Sequence, residues 1–491
     1  MEPVHEVPLT AKTVPTGLLA AVERIARGAL PSQGTPRLAD LHLLRDVPAG
    51  PAPRSWVDAS ARTLEAMLLA RTLEAMLLAR TRLDDLDGAL ELVHAHFADG
   101  RLRVSAMLDP RVRSTLFSAV GEVYAAAGWP RRAGLYADTA LIYAEDPATL
   151  YRAHAVRSLG AAVNGEYASA AESMATCHAL MLEQGWDPRN TDYALLLAEV
   201  LIASARLDAA ALDALAEAMR SGAPDDPYWQ YTARTTRAMR ALVVRDYAGG
   251  MALLSTLVSG TEAHRSHRMV RGFALGVLAD TLLARGEVRR ALAVLEGHAS
   301  LPGHALCFDM QRSAAYLALG REREALEITD PCLRMGTEHC VRTLGPLLLR
   351  RAVAYERLGN VASADGAFEE GFRLADGLGG SLAPYLTLPQ ADLDLLLRRL
   401  AAREPALAEA TRRVAAALAQ VPTRDERPPL PALSPREERL ALLLRGPKSI
   451  PQIAVELNVS VNTVKSQLRS IYAKLGVAGR DEAVDAHGFF V

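Results

Sequence analysis

Between residues 110 and 380, helix-spaced apolar positions come in pairs of runs, each pair separated by a short break. The stretches AAYLALGREREALEIT and AVAYERLGNVASADGAFEEG show the pattern. In each, a glycine closes one run and an alanine stands five residues later inside the next. The same pairing occurs at Gly128/Ala133, Gly165/Ala170, Gly286/Ala291, Gly320/Ala325 and Gly359/Ala364, and weaker copies, Ala205/Ala210 and Arg245/Gly250, fill the gap. Successive copies lie 34 to 41 residues apart. A glycine can end a helix in the left-handed conformation, and an alanine lets the following helix approach closely. A repeated helix–turn–helix unit of this length predicts an α-solenoid, in which each hairpin buries its apolar face against its neighbours. The other reading is one irregular all-helical domain. On either reading residues 60–418 are helical and the fold class is all-α.

The repeats resemble tetratricopeptide repeats in a degenerate form, without the full signature of that family. Before them, residues 1–59 hold one predicted helix, residues 17–28, amid proline-rich loops, which predicts a partly ordered cap. After them, VPTRDERPPLP predicts a semi-extended linker over 419–432. One oddity lies near the start of the array. Residues 62–70 and 71–79 are the same nine letters, RTLEAMLLA. Nine residues turn a helix by about 900°, half a turn past two full ones, so the copies face opposite ways. Leu64, Met67 and Leu68 then point away from Leu73, Met76 and Leu77. A continuous helix there is apolar all round, hence buried on two sides or partly displaced.

A different pattern occupies residues 433–491. Val464, Leu468, Ile471 and Leu475 recur at i, i+4, i+7 and i+11, one apolar stripe for a core. Asn462, Lys465, Ser466 and Arg469 gather on the opposite side. Three helix starts precede or flank this stripe. Ser434-Pro435-Arg436-Glu437 reads as a capping box, Ser449-Ile450-Pro451-Gln452 repeats its logic, and Ser460 is an N-cap for a helix over 461–475. Ala454 is small where two helices would cross, and Asn458 tolerates the left-handed conformation of a tight turn. This spacing is that of a helix-turn-helix, whose last helix enters a major groove.

Charge sharpens that reading. From 434 to 480 there are eight basic residues, Arg436, Arg439, Arg445, Lys448, Lys465, Arg469, Lys474 and Arg480, against Glu437, Glu438 and Glu456. The local balance is 8 − 3 = +5 in a chain of net charge −2. Three of the four lysines lie here, the fourth being Lys12. A basic module on a mildly acidic carrier suits phosphate neutralisation. Tyr472 is the one aromatic residue of the stretch, so stacking on single strands is disfavoured and the expected target is double-stranded DNA.

These residues resemble the LuxR-type helix-turn-helix of bacterial transcription regulators. The matching pieces are Leu433-Ser434-Pro435-Arg436-Glu437, Ile453-Ala454, Asn462-Thr463-Val464-Lys465 and Ile471-Tyr472 through Lys474-Leu475-Gly476-Val477. The resemblance implies a four-helix domain in which Lys465, Ser466 and Arg469 face the groove. It also implies a fourth helix after Arg480 that dimerises. Three positions depart from the usual pattern: Gly446-Pro447-Lys448-Ser449 is a longer loop, Arg439 replaces a common acid, and Gln467 replaces a frequent histidine.

The remaining chemistry is mostly negative. No apolar run reaches the roughly 18 residues that span a bilayer, and the N-terminus lacks the basic-then-apolar layout of a signal peptide, so no membrane contact and a cytoplasmic location are expected. Cys177, Cys307, Cys332 and Cys340 form no C-x-x-C pair and are read as buried or free thiols. Cys332, His339 and Cys340 lie close in sequence, yet no metal and no cofactor is expected. No G-x-x-x-x-G-K-S/T loop exists, and no lysine lies between Lys12 and Lys448, so the ATPase module of large regulators of this type is absent. No G-x-G-x-x-G or H-E-x-x-H motif is present, and catalysis is not expected.

The sequence therefore points to a bacterial, nucleoid-binding transcription regulator. Lys465 and Arg469 are expected at base edges and nearby phosphates, Asn462, Thr463 and Ser466 as shorter donors, and Lys448 and Lys474 on phosphates. A homodimer on DNA is expected, RNA polymerase is a further partner class, and an unknown protein or small molecule is the expected effector of the repeats. Trp129, Trp186 and Trp229 are read as core in the first instance, and as groove lining in the second. The rival reading is a repeat-built interaction scaffold with a vestigial DNA-binding domain.

Overall fold

The computed structural model describes residues 20–22, 24–25, 38–45, 61–98, 101–102, 108–259, 266–377, 381–420, 434–444, 448–475 and 479. The expected helix over 17–28 falls only partly within these residues, and the linker after 420 and the segment after Arg480 lie outside them. The fold is all-α apart from a two-residue ladder pairing Phe97–Ala98 with Arg101–Leu102.

From residue 110 the helices pair as hairpins: Pro110–Ala126 with Pro130–Ile142, Pro147–Asn164 with Tyr167–Gln184, Tyr193–Arg206 with Ala209–Gly222, and Pro227–Val243 with Tyr247–Ser259. The series continues with Arg268–Ala284 and Val288–Leu295, Phe308–Ala318 and Glu322–Arg334, then Val341–Arg357 and Val361–Gly377. Several first helices start on an aspartate followed by proline. Asp109, Asp146 and Asp226 accept the backbone N–H two residues on at 2.9, 2.9 and 2.8 Å. Each thereby satisfies an N–H that has no partner inside the helix.

The break inside each hairpin is a single left-handed residue: Gly128, Gly165, Arg245, Gly286, Gly320 and Gly359, with φ between 62° and 98°. Five residues on, Ala133, Ala170, Ala291, Ala325 and Ala364 are buried in the seam between the paired helices. One expected copy shifts. Ala205 lies inside the Tyr193–Arg206 helix, and the left-handed residue is Leu207 (φ 60°), which makes Leu212 the buried fifth position. Leucine has no intrinsic preference for that conformation. It is held there because the Leu207 and Asp208 N–H groups bond back to Ser204 O at 3.2 Å and Ala203 O at 2.9 Å, closing the helix as glycine does elsewhere.

The duplicated nonapeptide forms one continuous helix, Ala61–Arg82. Its second copy is buried nearly all round, Leu73, Met76 and Leu77 included, as an all-apolar helix requires. Even Glu74 is buried, accepting from Thr115 Oγ1 at 2.8 Å and Arg71 Nη1 at 3.1 Å, while burial pushes its carboxyl above the usual range. Trp229 is buried and Trp129 and Trp186 pack against the core, so all three are structural.

The array winds back on itself. The Gly128 turn meets the loop at Leu301–Gly303; a Cβ on Gly303 would lie 2.2 Å from Gly128 O. One hairpin later Cys340 Sγ donates to Val163 O across 177 residues, and Arg342 packs on Gly165. One hairpin later again Ser381 Oγ donates to Ala205 O across 176 residues. Successive early turns are thus covered, in order, by successive later connections. The apolar core nevertheless falls into two large clusters, one ending at Leu306 and the other beginning at Leu317.

Charge is buried between the early hairpins. Arg152 pairs with Asp192 at 2.7 Å and with Glu122, which also pairs with Arg82 at 3.3 Å. Burial alone would raise the Glu122 carboxyl, but Arg152 and Arg82 together hold it down, at about 2 against an ordinary 4.5.

Two outcomes are expected. Gly165→Ala adds a Cβ 2.8 Å from Arg342 Cα at φ 98°, whereas Gly185→Ala, at φ 61°, meets nothing within 4 Å. In denaturant melts Gly165→Ala should cost clearly more than the ~1–2 kcal/mol of left-handed strain common to both; equal losses would mean that the turns do not meet the later loops. Because the Glu122 value is depressed on folding, its contribution is complete above about pH 4.5 and is lost as pH falls toward 2. The Tm gap between the wild type and Glu122→Gln should therefore narrow over that window, and a gap independent of pH would contradict the pairing.

Candidate nucleic-acid interface

Among the described residues, three helices follow the linker: Pro435–Leu444, Ile450–Glu456 and Val461–Leu475. Each begins on the cap its sequence predicts. Ser434 N donates to Glu437 Oε2 at 2.7 Å, and Glu437 N returns to Ser434 Oγ at 3.4 Å. Ser449 and Gln452 form a second capping box, with Ser449 N on Gln452 Oε1 at 2.8 Å. Thr463 N donates to Ser460 Oγ at 3.1 Å. Asn458 takes the left-handed turn, φ 53°.

A small core fixes the three helices together. Leu440, Leu444, Ile453, Ala454, Val464, Leu468 and Ile471 are buried, so three of the four residues of the expected stripe face inward, and the Leu475 side chain lies outside the described residues. Ala454 sits beneath the last helix, where a larger side chain would push the two apart. Leu443, Ile450, Leu457 and Tyr472 pack around this centre.

One lock was not legible in the pattern. Glu437 is buried, and its second carboxylate oxygen accepts from Ser470 Oγ at 2.8 Å, tying the first helix to the third. Its position as the acid of a capping box was the only sequence signal, and the distant serine could not be read from it.

Asn462, Thr463, Lys465, Ser466 and Arg469 all lie exposed on the Val461–Leu475 helix, opposite the buried stripe. The Asn462, Ser466 and Arg469 positions fall three or four apart, one side of an α-helix. Thr463 differs from the rest: its hydroxyl sits 2.8 Å from Ser460 Oγ and is shared with the cap. Lys448 also differs, because its ammonium meets Glu456 at 2.7 Å. Both partners are about half exposed, and such a surface pair is worth at most about 1 kcal/mol. A phosphate can displace Glu456, but the net gain is smaller than for an unpaired lysine. Lys474 lies in the last turn of the same helix.

Residues 431–486 match the family described as "Bacterial regulatory proteins, luxR family". This C-terminal unit is a luxR-family helix-turn-helix. The chain is also 29% identical over 192 residues to a protein of Streptomyces halstedii named "Probable HTH-type transcriptional regulator GfsR". That similarity covers 38% of this chain and 63% of the relative, less than two thirds of the relative's length. In the luxR-family unit, the capped third helix stands on its core with polar side chains outward. Among the described residues, no helix is long and apolar enough to cross a membrane.

Removing the Glu437 carboxylate leaves the Ser434 N–H and the Ser470 hydroxyl without these partners, at about 1–3 kcal/mol. Glu437→Ala is expected to speed hydrogen exchange of the amides in Val461–Leu475. Unchanged exchange there would show that the carboxylate does not hold the helix.

Proposed function

We propose that the chain is a sequence-specific, duplex-DNA-binding transcriptional regulator whose helical-hairpin body governs when its C-terminal unit engages DNA. The observation that carries this reading is the exposed row Asn462, Lys465, Ser466 and Arg469 on a helix whose other face is buried and whose N-terminus is capped. The +5 balance over 434–480, in a chain of net −2, supports it. The relative's name, a transcriptional regulator, supports it too.

In this reading Arg469 and Lys465 read base edges and nearby phosphates, and Asn462 and Ser466 supply shorter hydrogen bonds. Thr463 presents its backbone and methyl group while its hydroxyl holds the cap. Lys448 and Lys474 sit on phosphates, Lys448 after exchanging Glu456 for one. Two copies bind half-sites about one helical turn apart, joined through the residues after Arg480. An effector, a protein or a small molecule, acts on the body, and RNA polymerase is contacted at the promoter. The chain carries out no catalysis, and it works in the cytoplasm on the nucleoid.

Genome-wide mapping of bound DNA followed by mobility shifts on the enriched site tests this. Arg469→Ala is expected to weaken binding by about 1–3 kcal/mol and to relax preference at one base pair. Lys448→Ala is expected to weaken all sequences alike and by less. Binding that is steep in salt and selective over competitor supports the regulator; binding without selectivity at low salt would turn the assignment to a repeat scaffold with a vestigial reader.

A further inference from the structure

All four cysteines are buried and free, as expected, but two of them lie beside histidines. Folding brings His304, Cys307, Cys332 and His339 together, with one ligand-competent atom from each lying within 4.8 Å of all the others. Three of the four are buried and His304 is half-buried. Cys340, the neighbour that sequence proximity favoured, is not among them: its Sγ points to Val163 O at 3.1 Å. We propose that these four side chains form a structural Cys2His2 zinc site that fastens two connections of the helical body together.

Three of the separations match the edges of a zinc tetrahedron. Zinc holds sulfur at about 2.3 Å and nitrogen at about 2.0–2.1 Å, which sets ligand edges of about 3.8 Å for S···S, 3.6 Å for S···N and 3.3 Å for N···N. The structure has Cys307 Sγ to Cys332 Sγ at 3.7 Å, Cys332 Sγ to His304 Nδ1 at 3.6 Å, and His304 Nδ1 to His339 Nε2 at 3.1 Å. Three of the six edges thus match the polyhedron, and all four ligand atoms lie within 4.8 Å of one another.

The surroundings are those of a metal site. His339 Nδ1 is bonded to the Cys340 carbonyl at 2.8 Å, which fixes the ring and leaves Nε2 facing the other three ligands. His304 sits in the left-handed conformation, φ 51°, inside a turn closed by its own N–H on Leu301 O. That strain is held in place by Thr343 Oγ1 donating to His304 O at 2.8 Å and Cys340 N donating to Gly303 O at 3.1 Å. Cys307 caps the Phe308–Ala318 helix, where the helix end favours a thiolate.

Binding follows a balanced exchange. Zn(II) enters, the Cys307 and Cys332 thiols each release a proton to solvent, and both imidazoles ligate as neutral bases. Two thiolates and one divalent cation sum to zero, so the buried site carries no net charge. Four protein ligands leave no open position, which assigns a structural role. The location explains the need. The ligands come from the loop before Phe308–Ala318, the last turn of Glu322–Arg334 and the connection before Val341–Arg357. This is the gap between the two large apolar clusters, where a smaller group of Cys307, Cys332 and Leu347 takes over. It also adjoins Leu301–Gly303 and Arg342, which cover the early hairpin turns.

The test uses the full chain purified under reducing conditions, with metal measured by plasma mass spectrometry. About one zinc per chain is expected. After chelation, Co(II) titration should give the visible bands of a tetrahedral, thiolate-ligated ion. C307S with C332S should lose both signals, and C177S, which alters a thiol outside the cluster, should keep them. H304A, at the half-buried position, should bind at least about tenfold more weakly while remaining folded, so its reading does not depend on the core variants. Wild type that takes up no more metal than C307S/C332S would overturn the proposal, as would a Cys307–Cys332 disulfide in the reduced preparation. None of these readouts uses DNA, so the outcome is separate from that of the regulator reading.

Discussion

Close approach of two helices across a left-handed turn is the constraint on which the body rests. One residue must leave the right-handed region to reverse the chain, and five residues later a side chain must be small enough, or positioned well enough, to lie in the seam. Glycine meets the first condition at most copies and alanine the second. Where they are replaced by Leu207 and Leu212, local backbone hydrogen bonds impose the same turn. Because each copy repeats this geometry, the rotation between hairpins accumulates. The array then returns to itself, and Val163 and Ala205 meet residues 177 and 176 positions later. A solenoid left open would expose those turns; this one covers them.

The C-terminal unit rests on a different economy of forces. Among the described residues its core is seven buried apolar side chains, fewer than the body has, and capping carries a correspondingly larger share of its order. Every helix start is satisfied by a serine, and Glu437 serves twice, on Ser434 and on Ser470. Among the exposed residues of the Val461–Leu475 helix, Thr463 and Ser470 serve the fold. Side chains at Asn462, Lys465, Ser466 and Arg469 can therefore vary without disturbing it.

Within the body, the two large apolar clusters stop at a seam where four nitrogen and sulfur ligands converge. Two polar rings and two thiols make a poor hydrophobic contact. As a metal site they would supply the cross-link that packing does not, at the place where later loops grip earlier turns.

Much of this was written locally. The hairpin breaks, the caps at Ser434, Ser449 and Ser460, the inward stripe of Val464, Leu468 and Ile471, and the exposed basic row all follow from residues within a turn or two of each other, which is the range over which helix geometry and capping act. The all-α class, the repeat length and the exposed face of the Val461–Leu475 helix were set by sequence within single elements. Tertiary structure alone decided that Leu207 and not Ala205 makes the third turn, that Glu437 reaches Ser470, that Lys448 is paired, and that His304 and Cys307 join Cys332 and His339 while Cys340 turns away. The Leu207 turn is closed by backbone bonds to Ser204 and Ala203 that no preference of leucine announces, and the other pairings join groups from 8 to 177 residues apart, contacts that helix periodicity does not encode.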